Sequence, residues 1–346
     1  MTLMLRAPFL FSFLFLLLSN PSFSQKKDRL SLSTDSLIKV TEPRFNGVVL
    51  ISKKGKTIYN KVQGFADFDK KTPLTIDSEF EIMSNTRQIT AVLILKEMEE
   101  GRIDLKFPIK KYLPYLTQPW ADSVTVHQLL NHSHGITDLQ KPLLFKSGTD
   151  FKYGNLSYGL LGQIIAFTTK KSYSEAANAL FKKLRMKNTF CYSKNQNKNL
   201  VSGYLNTNNT FKKVEESIIT PESIASYGII STVNDLAIWN KNLHKGKILK
   251  PESYQLMIHY NIRAQHNVFG KEKQGYGYGL RIVDQETPKY IGHTGLGDGF
   301  SSVNLYFPES DVSLIILENQ INKNSDLLYN AEIKIKNILL KSDALN

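Results

Sequence analysis

Strand-forming runs stand at both ends of this chain, with a long helix- and loop-rich stretch between them. Near the start, FNGVVLISKKGKTIYNKVQGFAD reads as two strands around a Lys-Gly turn, with apolar, β-branched residues from Val48 to Ile51 and again from Ile58 to Val62. From residue 276 strands return as YGYGLRIV, KYIGHTG, FSSVNLYFP and VSLIILEN, the last two separated by the turn PESD. The economical arrangement brings the two ends together as one antiparallel β-sheet flanked by helices, and leaves the middle as a second, helical lobe. The expected class is therefore α/β (α+β). The sheet lobe is drawn from about residues 25–83 and 265–346, and the helical lobe from about 84–264.

The middle supports that division. A helix is expected from about Ser84 to Glu100. Its apolar positions Ile89, Val92, Leu93, Leu95 and Met98 are too many for one narrow stripe, so it should be largely buried, and Gly101 stops it. Further helices are expected near 125–131, 156–170, 173–184 and 233–243, the last capped by Ser231 or Thr232 with Asp235 in its first turn. Residues 25–42 are helix-compatible, and a final helix is expected over about 324–341. The Asn-rich stretch 192–213 reads as a mobile excursion or weak hairpin.

The first 24 residues stand apart. MTLMLRAPFLFSFLFLLLSNPSFS has one cation, Arg6, then an apolar run too short for a membrane span, then small residues before Gln25. That is the pattern of a secretory signal peptide, which predicts a periplasmic or secreted protein with no stable membrane span after cleavage. Residues 25–346 then form a single domain. The formal charge is +13 for the whole chain, and +12 without Arg6. Such an excess favours anionic surfaces. The lysines are scattered rather than gathered on one helix, and no nucleic-acid motif is present, so nucleic acid is not an expected partner. The single cysteine, Cys191, excludes an intramolecular disulfide framework and reads as a small buried residue.

Three short stretches carry candidate chemistry. In FEIMSNTRQIT, Ser84 opens the helix, where free backbone N–H groups could hold the negative charge that develops on an attacked carbonyl. The bland alternative for Ser84 is a simple N-cap. In FKYGNLSYGLLGQII, Tyr153 could act as a base if a cation favours its anionic form, and Asn155 could donate to a substrate carbonyl and accept from a cation. Their bland alternatives are a core aromatic and a helix cap. In YIGHTGLGDGFSS, His293 could bind a carboxylate or move protons, and Gly295 permits close approach of a substrate backbone. Its alternative is a structural histidine.

Taken together, the order Ser-x-x-(basic), Tyr-x-Asn, His-Thr-Gly resembles the serine β-lactamase and penicillin-binding-protein superfamily, nearest its class C β-lactamase-like branch. FEIMSNTRQITAVLILKEMEEGRIDLKFPIKKYLP, VTVHQLLNHSHGI, SYGIISTVNDLAIW and GHTGLGDGFSSVNLYFPESDVSLIILEN are similar to family segments, from about residue 40 to the C-terminal helix. The resemblance implies a site between two lobes, with Ser84 as the acylated nucleophile, Tyr153 as general base and acid, and Asn155 as a substrate-amide ligand. It puts His293 where lysine is usual, and makes Thr294, Gly295 and Leu296 the substrate-binding strand, with the N–H groups of Ser84 and Leu296 as oxyanion hole. It implies no cofactor and no metal. His132 falls on a histidine common in the family's loop, and with His134 it lacks a third metal ligand nearby.

Arg87 departs from that pattern, because the family has lysine there. Arginine stays protonated and cannot take the serine proton. A fixed guanidinium could still favour the anionic form of Tyr153 electrostatically. Two functions follow. One is an exported serine hydrolase acting through an acyl-enzyme on an amide or ester, of D,D-peptidase, esterase or β-lactamase type. The other is a catalytically impaired relative that binds peptidoglycan-type ligands. The expected partner is a small-molecule or peptide substrate, peptidoglycan-derived compounds included.

Overall fold

The computed structural model describes residues 28–194, 199–263, 269 and 272–346. The expected signal peptide lies outside the described residues. Seven strands build the main sheet: β1 (Gly47–Lys53), β2 (Lys56–Gln63), β3 (Gly275–Tyr276), β4 (Arg281–Val283), β5 (Tyr290–Gly297), β6 (Phe300–Phe307) and β7 (Val312–Glu318). Their spatial order is β3-β4-β5-β6-β7-β1-β2, and every neighbouring pair is antiparallel. The junction of the chain's two ends is β1 against β7, in register from Gly47↔Glu318 to Lys53↔Val312.

Side chains alternate across a strand, and here the alternation sorts the core into two layers. Val49, Ile51, Leu305, Leu314 and Ile316 face α1 (Arg29–Val40) and α5 (Asn330–Leu340), the helices from the two chain ends. Val48, Leu50, Ile315 and Leu317 face the helices of the middle. Strands β5 to β7 are buried almost throughout because both faces are covered.

On the second face lies α2 (Thr86–Glu99), in which Ile89 to Leu95 are all buried. It packs against α3 (Leu156–Thr169), while α4 (Val233–His244) lies across β1 and β7. Thr232 caps α4, its side chain accepting from Asp235 N–H. Two expectations change in detail, and a third resolves to one of its two alternatives. The helix expected from Ser84 starts at Thr86, after a 3₁₀ turn over Met83–Asn85. YGYGLRIV is two strands, β3 and β4, because the chain turns at Gly277–Leu280 with Gly279 at φ +66. Within 192–213, Tyr204–Thr207 and Thr210–Lys213 form a hairpin over Asn208 and Asn209, both at positive φ. Gln320–Asn322 joins that hairpin as a parallel strand.

Candidate active site

Ser84 sits in a turn that is strained and firmly held. Phe80–Glu81 pairs with Ile229–Ser231, and the chain then bends through Met83 at φ +49. A non-glycine residue there costs about 1–3 kcal/mol and persists only when its surroundings over-determine it. Ile82 N–H donates to Ile229 O at 3.0 Å, and Ile82 O accepts from Ser302 Oγ at 2.7 Å. Asn85 Nδ2 donates to the same Ser302 Oγ at 2.8 Å, and Asn85 Oδ1 accepts from Gln88 Nε2 at 2.9 Å. Trp239 Nε1 in turn donates to Gln88 Oε1 at 3.0 Å. These amides are buried, so each partner lost would leave another group unsatisfied.

The His-Thr-Gly strand closes the other side of the turn. A Cβ on Gly295 would stand 2.3 Å from Ile82 O and 2.8 Å from Met83 Cβ, so only glycine lets β5 run this close. Thr294 is buried, whereas Leu296 is 39% exposed at the strand's outer end. Tyr329 OH donates to Gly295 O at 2.9 Å, fixing the strand from behind.

Arg87 follows Ser84 on the first turn of α2, and none of its surface reaches solvent. Its Nη2 donates to Asn155 Oδ1 at 2.6 Å and lies 3.4 Å from Gly154 O. The guanidinium carbon stands 4.5 Å from the centre of the Tyr153 ring and 5.4 Å from that of Tyr158. Nε and Nη1 have no hydrogen-bond partner among the described residues. Cation–π contact offsets part of the cost of burying this charge, at about 2 kcal/mol or more for a desolvated pair. Asn155 precedes α3 but its side chain does not cap the helix; it is committed to Arg87.

Tyr153 links this cation to His293, whose ring stacks 6.1 Å away. Burial, then Arg281 and Arg87, push His293 well below the ordinary histidine range. Nδ1–H donates to the Thr294 carbonyl at 2.6 Å and Nε2 accepts from Tyr276 OH at 3.0 Å, so the neutral ring already has a protein partner at each nitrogen. His132 packs against Tyr153, ring centres 4.6 Å apart, and shares a hydrogen bond with Ser157 Oγ at 3.1 Å. Burial and Arg87 hold it far below the usual value as well. His134 accepts from Ile136 N–H and is pushed down to about 4 by burial. No group of three metal-ligating side chains occurs among the described residues.

Sequence reasoning missed two features of this region. Arg281, on β4 opposite Gly292, is 8% exposed and brings a second guanidinium within 5.5 Å of the Tyr153 ring centre. Its only signal was a charged residue between apolar ones in LRIV. The other is a pair of acids. Glu81 is pushed up to about 8, by burial first and then by Asp298 in the β5–β6 turn. Asp298 Oδ2 accepts from Ser217 Oγ at 2.7 Å and Ile218 N–H at 2.8 Å.

The candidate residues thus form a closed set of contacts: Arg87 with Asn155 and Tyr153, Tyr153 with His293, and the strand of His293 with the Ser84 turn. Ser84 is half-buried, and no hydrogen bond joins its hydroxyl to Tyr153 among the described residues. A hydroxyl on a rigid turn, an aromatic hydroxyl and two fixed cations suit acyl transfer better than redox or metal chemistry.

Comparison with known proteins agrees. A model of the family described as Beta-lactamase matches residues 38–335. Protein flp of Staphylococcus aureus (strain N315) is 28% identical over 298 residues, covering 78% of this chain and 59% of that protein. The chain therefore spans about three fifths of the length of the curated relatives of this kind. Among solved structures, the octameric penicillin-binding protein homologue from Pyrococcus abyssi superposes with a TM-score of 0.76 at 26% identity, over 90% of this chain and 76% of that one. D-amino acid amidase from Ochrobactrum anthropi SV3 shares the fold, with a TM-score of 0.78 at 20% identity over 91% and 99%. The chain belongs to the β-lactamase family, within the superfamily of serine β-lactamases and penicillin-binding-protein-like hydrolases.

Proposed function

We propose that this protein is an exported serine hydrolase that cleaves a small amide or ester through an acyl-enzyme. Ser84 Oγ attacks the carbonyl carbon while Tyr153, the base beside Arg87, takes the serine proton. The N–H groups of Ser84 and Leu296 hold the resulting oxyanion. As the tetrahedral species collapses, the C–N or C–O bond breaks and Tyr153 returns the proton to the leaving group. Water then repeats the sequence on the acyl-enzyme. Asn155 orients Arg87 and offers its amide to the substrate. The observation that carries this reading is the buried Arg87 guanidinium, 4.5 Å from the Tyr153 ring centre and without a carboxylate partner among the described residues. A buried cation left in that state favours an anion beside it.

The neutral His293 is unsuited to hold a substrate carboxylate by charge, and Arg281 is the permanent cation nearer that strand. Together with the likeness to a D-amino acid amidase, this favours small acyl compounds bearing an anionic or amide group, peptidoglycan-derived ones included. The pattern of residues 1–24 supports export to the periplasm or medium. No helix among the described residues is long and apolar enough to cross a membrane.

Intact-mass spectrometry after incubation with a fluorophosphonate, and separately with a penicillin, tests the proposal. A covalent adduct is expected on the native chain and none on Ser84→Ala. One observation favours a second reading: arginine cannot accept the proton that lysine takes in relatives. A ligand-binding protein without turnover would bind saturably, form no adduct, and gain one in Arg87→Lys.

A further inference from the structure

A cavity of about 810 Å³ lies apart from the Ser84 crevice, and none of Ser84, Arg87, Tyr153, Asn155 or His293 lines it. It opens between the loop after α2, the short helix Val126–Leu130, and the helix Pro251–Ile258. Its volume is within the range of small-molecule sites. His132 and Tyr276 contact Tyr153 and His293, whereas Asn131 and Tyr278, one residue and two residues away, line the cavity.

The cavity floor contains a donor with no acceptor. Asn131 Oδ1 accepts from Ser133 N–H at 3.1 Å and from Ser133 Oγ at 2.7 Å, which fixes the amide's orientation. Asn131 Nδ2 must then donate to His127 Nε2, at 3.2 Å. His127 therefore carries its proton on Nδ1 and donates it to Tyr278 OH at 2.6 Å. Burial and His259 depress His127, consistent with that neutral ring. The Tyr278 hydroxyl proton is left without an acceptor among the described residues, on a side chain that is 4% exposed. A buried donor in that state is costly.

The walls and rim narrow the ligand. Ile103, Leu105, Phe107 and Leu256 make the walls apolar. Among the lining residues Arg102 is held by Glu97 in two bonds of 2.7 Å, which leaves Lys106 and Lys111 against Asp104, and the Lys111 ammonium lies 3.7 Å from the Phe107 ring centre. We propose that this cavity is a second ligand site, for an amphipathic carboxylate whose acid group accepts the Tyr278 proton and whose apolar body covers Leu105 and Phe107.

Decanoate is a suitable probe, titrated calorimetrically into the full chain, with decylamine as a control of opposite charge. Saturable 1:1 binding of decanoate is expected, with decylamine at least about 10-fold weaker. Tyr278→Phe, which keeps the ring, should weaken decanoate by about 10-fold or more, the scale of a hydrogen bond to a charged group. Leu256→Trp, at a 41% exposed position on the mouth, should block it without touching the core. Ser84→Ala should bind decanoate as the native chain does, whether or not Ser84 is a nucleophile. The proposal is overturned by absent saturation, by equal binding of decylamine, by unchanged affinity in Tyr278→Phe, or by loss of binding in Ser84→Ala.

Discussion

The two faces of the sheet are built on different principles. Behind it, α1 and α5 bury Leu30, Ile38, Ile335 and Leu339 against Val49, Ile51, Leu305 and Ile316, an aliphatic layer whose members could be exchanged for others of similar volume. Thr34, Glu332 and Lys336 are the buried polar residues of these helices; Thr34 donates to Leu30 O, Glu332 accepts from Ser301, and Lys336 meets Glu286 and Tyr290. In front, the contacts nearest the site are amides and hydroxyls: Asn85 with Ser302 and Gln88, Gln88 with Trp239, and Asn240 with Asn304 in two reciprocal bonds of 2.7 and 3.0 Å. Aliphatic packing supplies stability with little directional demand. Buried amides add little net stability but tolerate one geometry only. The face with the costlier chemistry is the one that positions Ser84.

Substitutions can break this contrast. The largest effect is expected at Arg87. Arg87→Met fills the same space without the charge, so fluorophosphonate labelling of Ser84 should slow by about 10²–10⁴-fold, the range for losing acid–base assistance. The thermal midpoint should hold or rise, since an apolar replacement for a buried ion is often neutral or stabilising. A rate unchanged in Arg87→Met would remove the guanidinium from the mechanism. Next is Asn85→Ala, which leaves Gln88 and Ser302 unsatisfied and loosens the turn. Labelling should fall by about 10²-fold, a scale seen for misplacement of a reacting group by about 1 Å. On the opposite face Ile335→Ala should cost about 2–5 kcal/mol in denaturant unfolding yet leave the labelling rate of folded protein unchanged. If both variants slow labelling equally, the two faces do not differ in the way described.

The smallest expected effect is a slope. Glu81 is raised from the ordinary glutamate range to about 8 by burial and by Asp298, with the Ser217 hydroxyl opposing. The folded state then holds a proton that the unfolded chain has already released. Stability from this group is full below the ordinary glutamate range and is lost as pH rises toward about 8. Glu81→Gln should remove about 1–2 kcal/mol of that decline between about pH 6 and pH 8, measured by urea unfolding of both proteins. Identical slopes would mean that the carboxyl is not held neutral.

How much of this was legible depends on distance along the chain. The spacing of Ser84 and Arg87 is one helical turn, and His293-Thr294-Gly295 sits in an apolar strand, so both could be read locally. Pairing of the N-terminal hairpin with the C-terminal strands was implied because strand runs at both ends flank a helical middle. Arg281 was not legible, since a lone cation within a strand says nothing about what it will face until β4 is set beside β5. The split of YGYGLRIV turned on a single positive-φ glycine, and glycines in strands signal several things besides turns. Asn155 could be read as the acceptor for a cation or as a helix cap, and the choice rested on Arg87, which lies far away in sequence. The strained Met83 had no local signal at all.

The pairing of Gly47 with Glu318 also bears on timing. A growing polypeptide offers the Ser84 hydroxyl early, but Gly295, which packs on the turn at Ile82 and Met83, and the strand that pairs with β1 are made near the end of synthesis. Until then Asn85 has no Ser302 to hold, and the bend at Met83 has Ile229 on one side but neither Ser302 nor Gly295 on the other. A chain stopped before Tyr290 would therefore carry the proposed nucleophile without β5 beside it, and the proposed chemistry needs both ends of the polypeptide to have met.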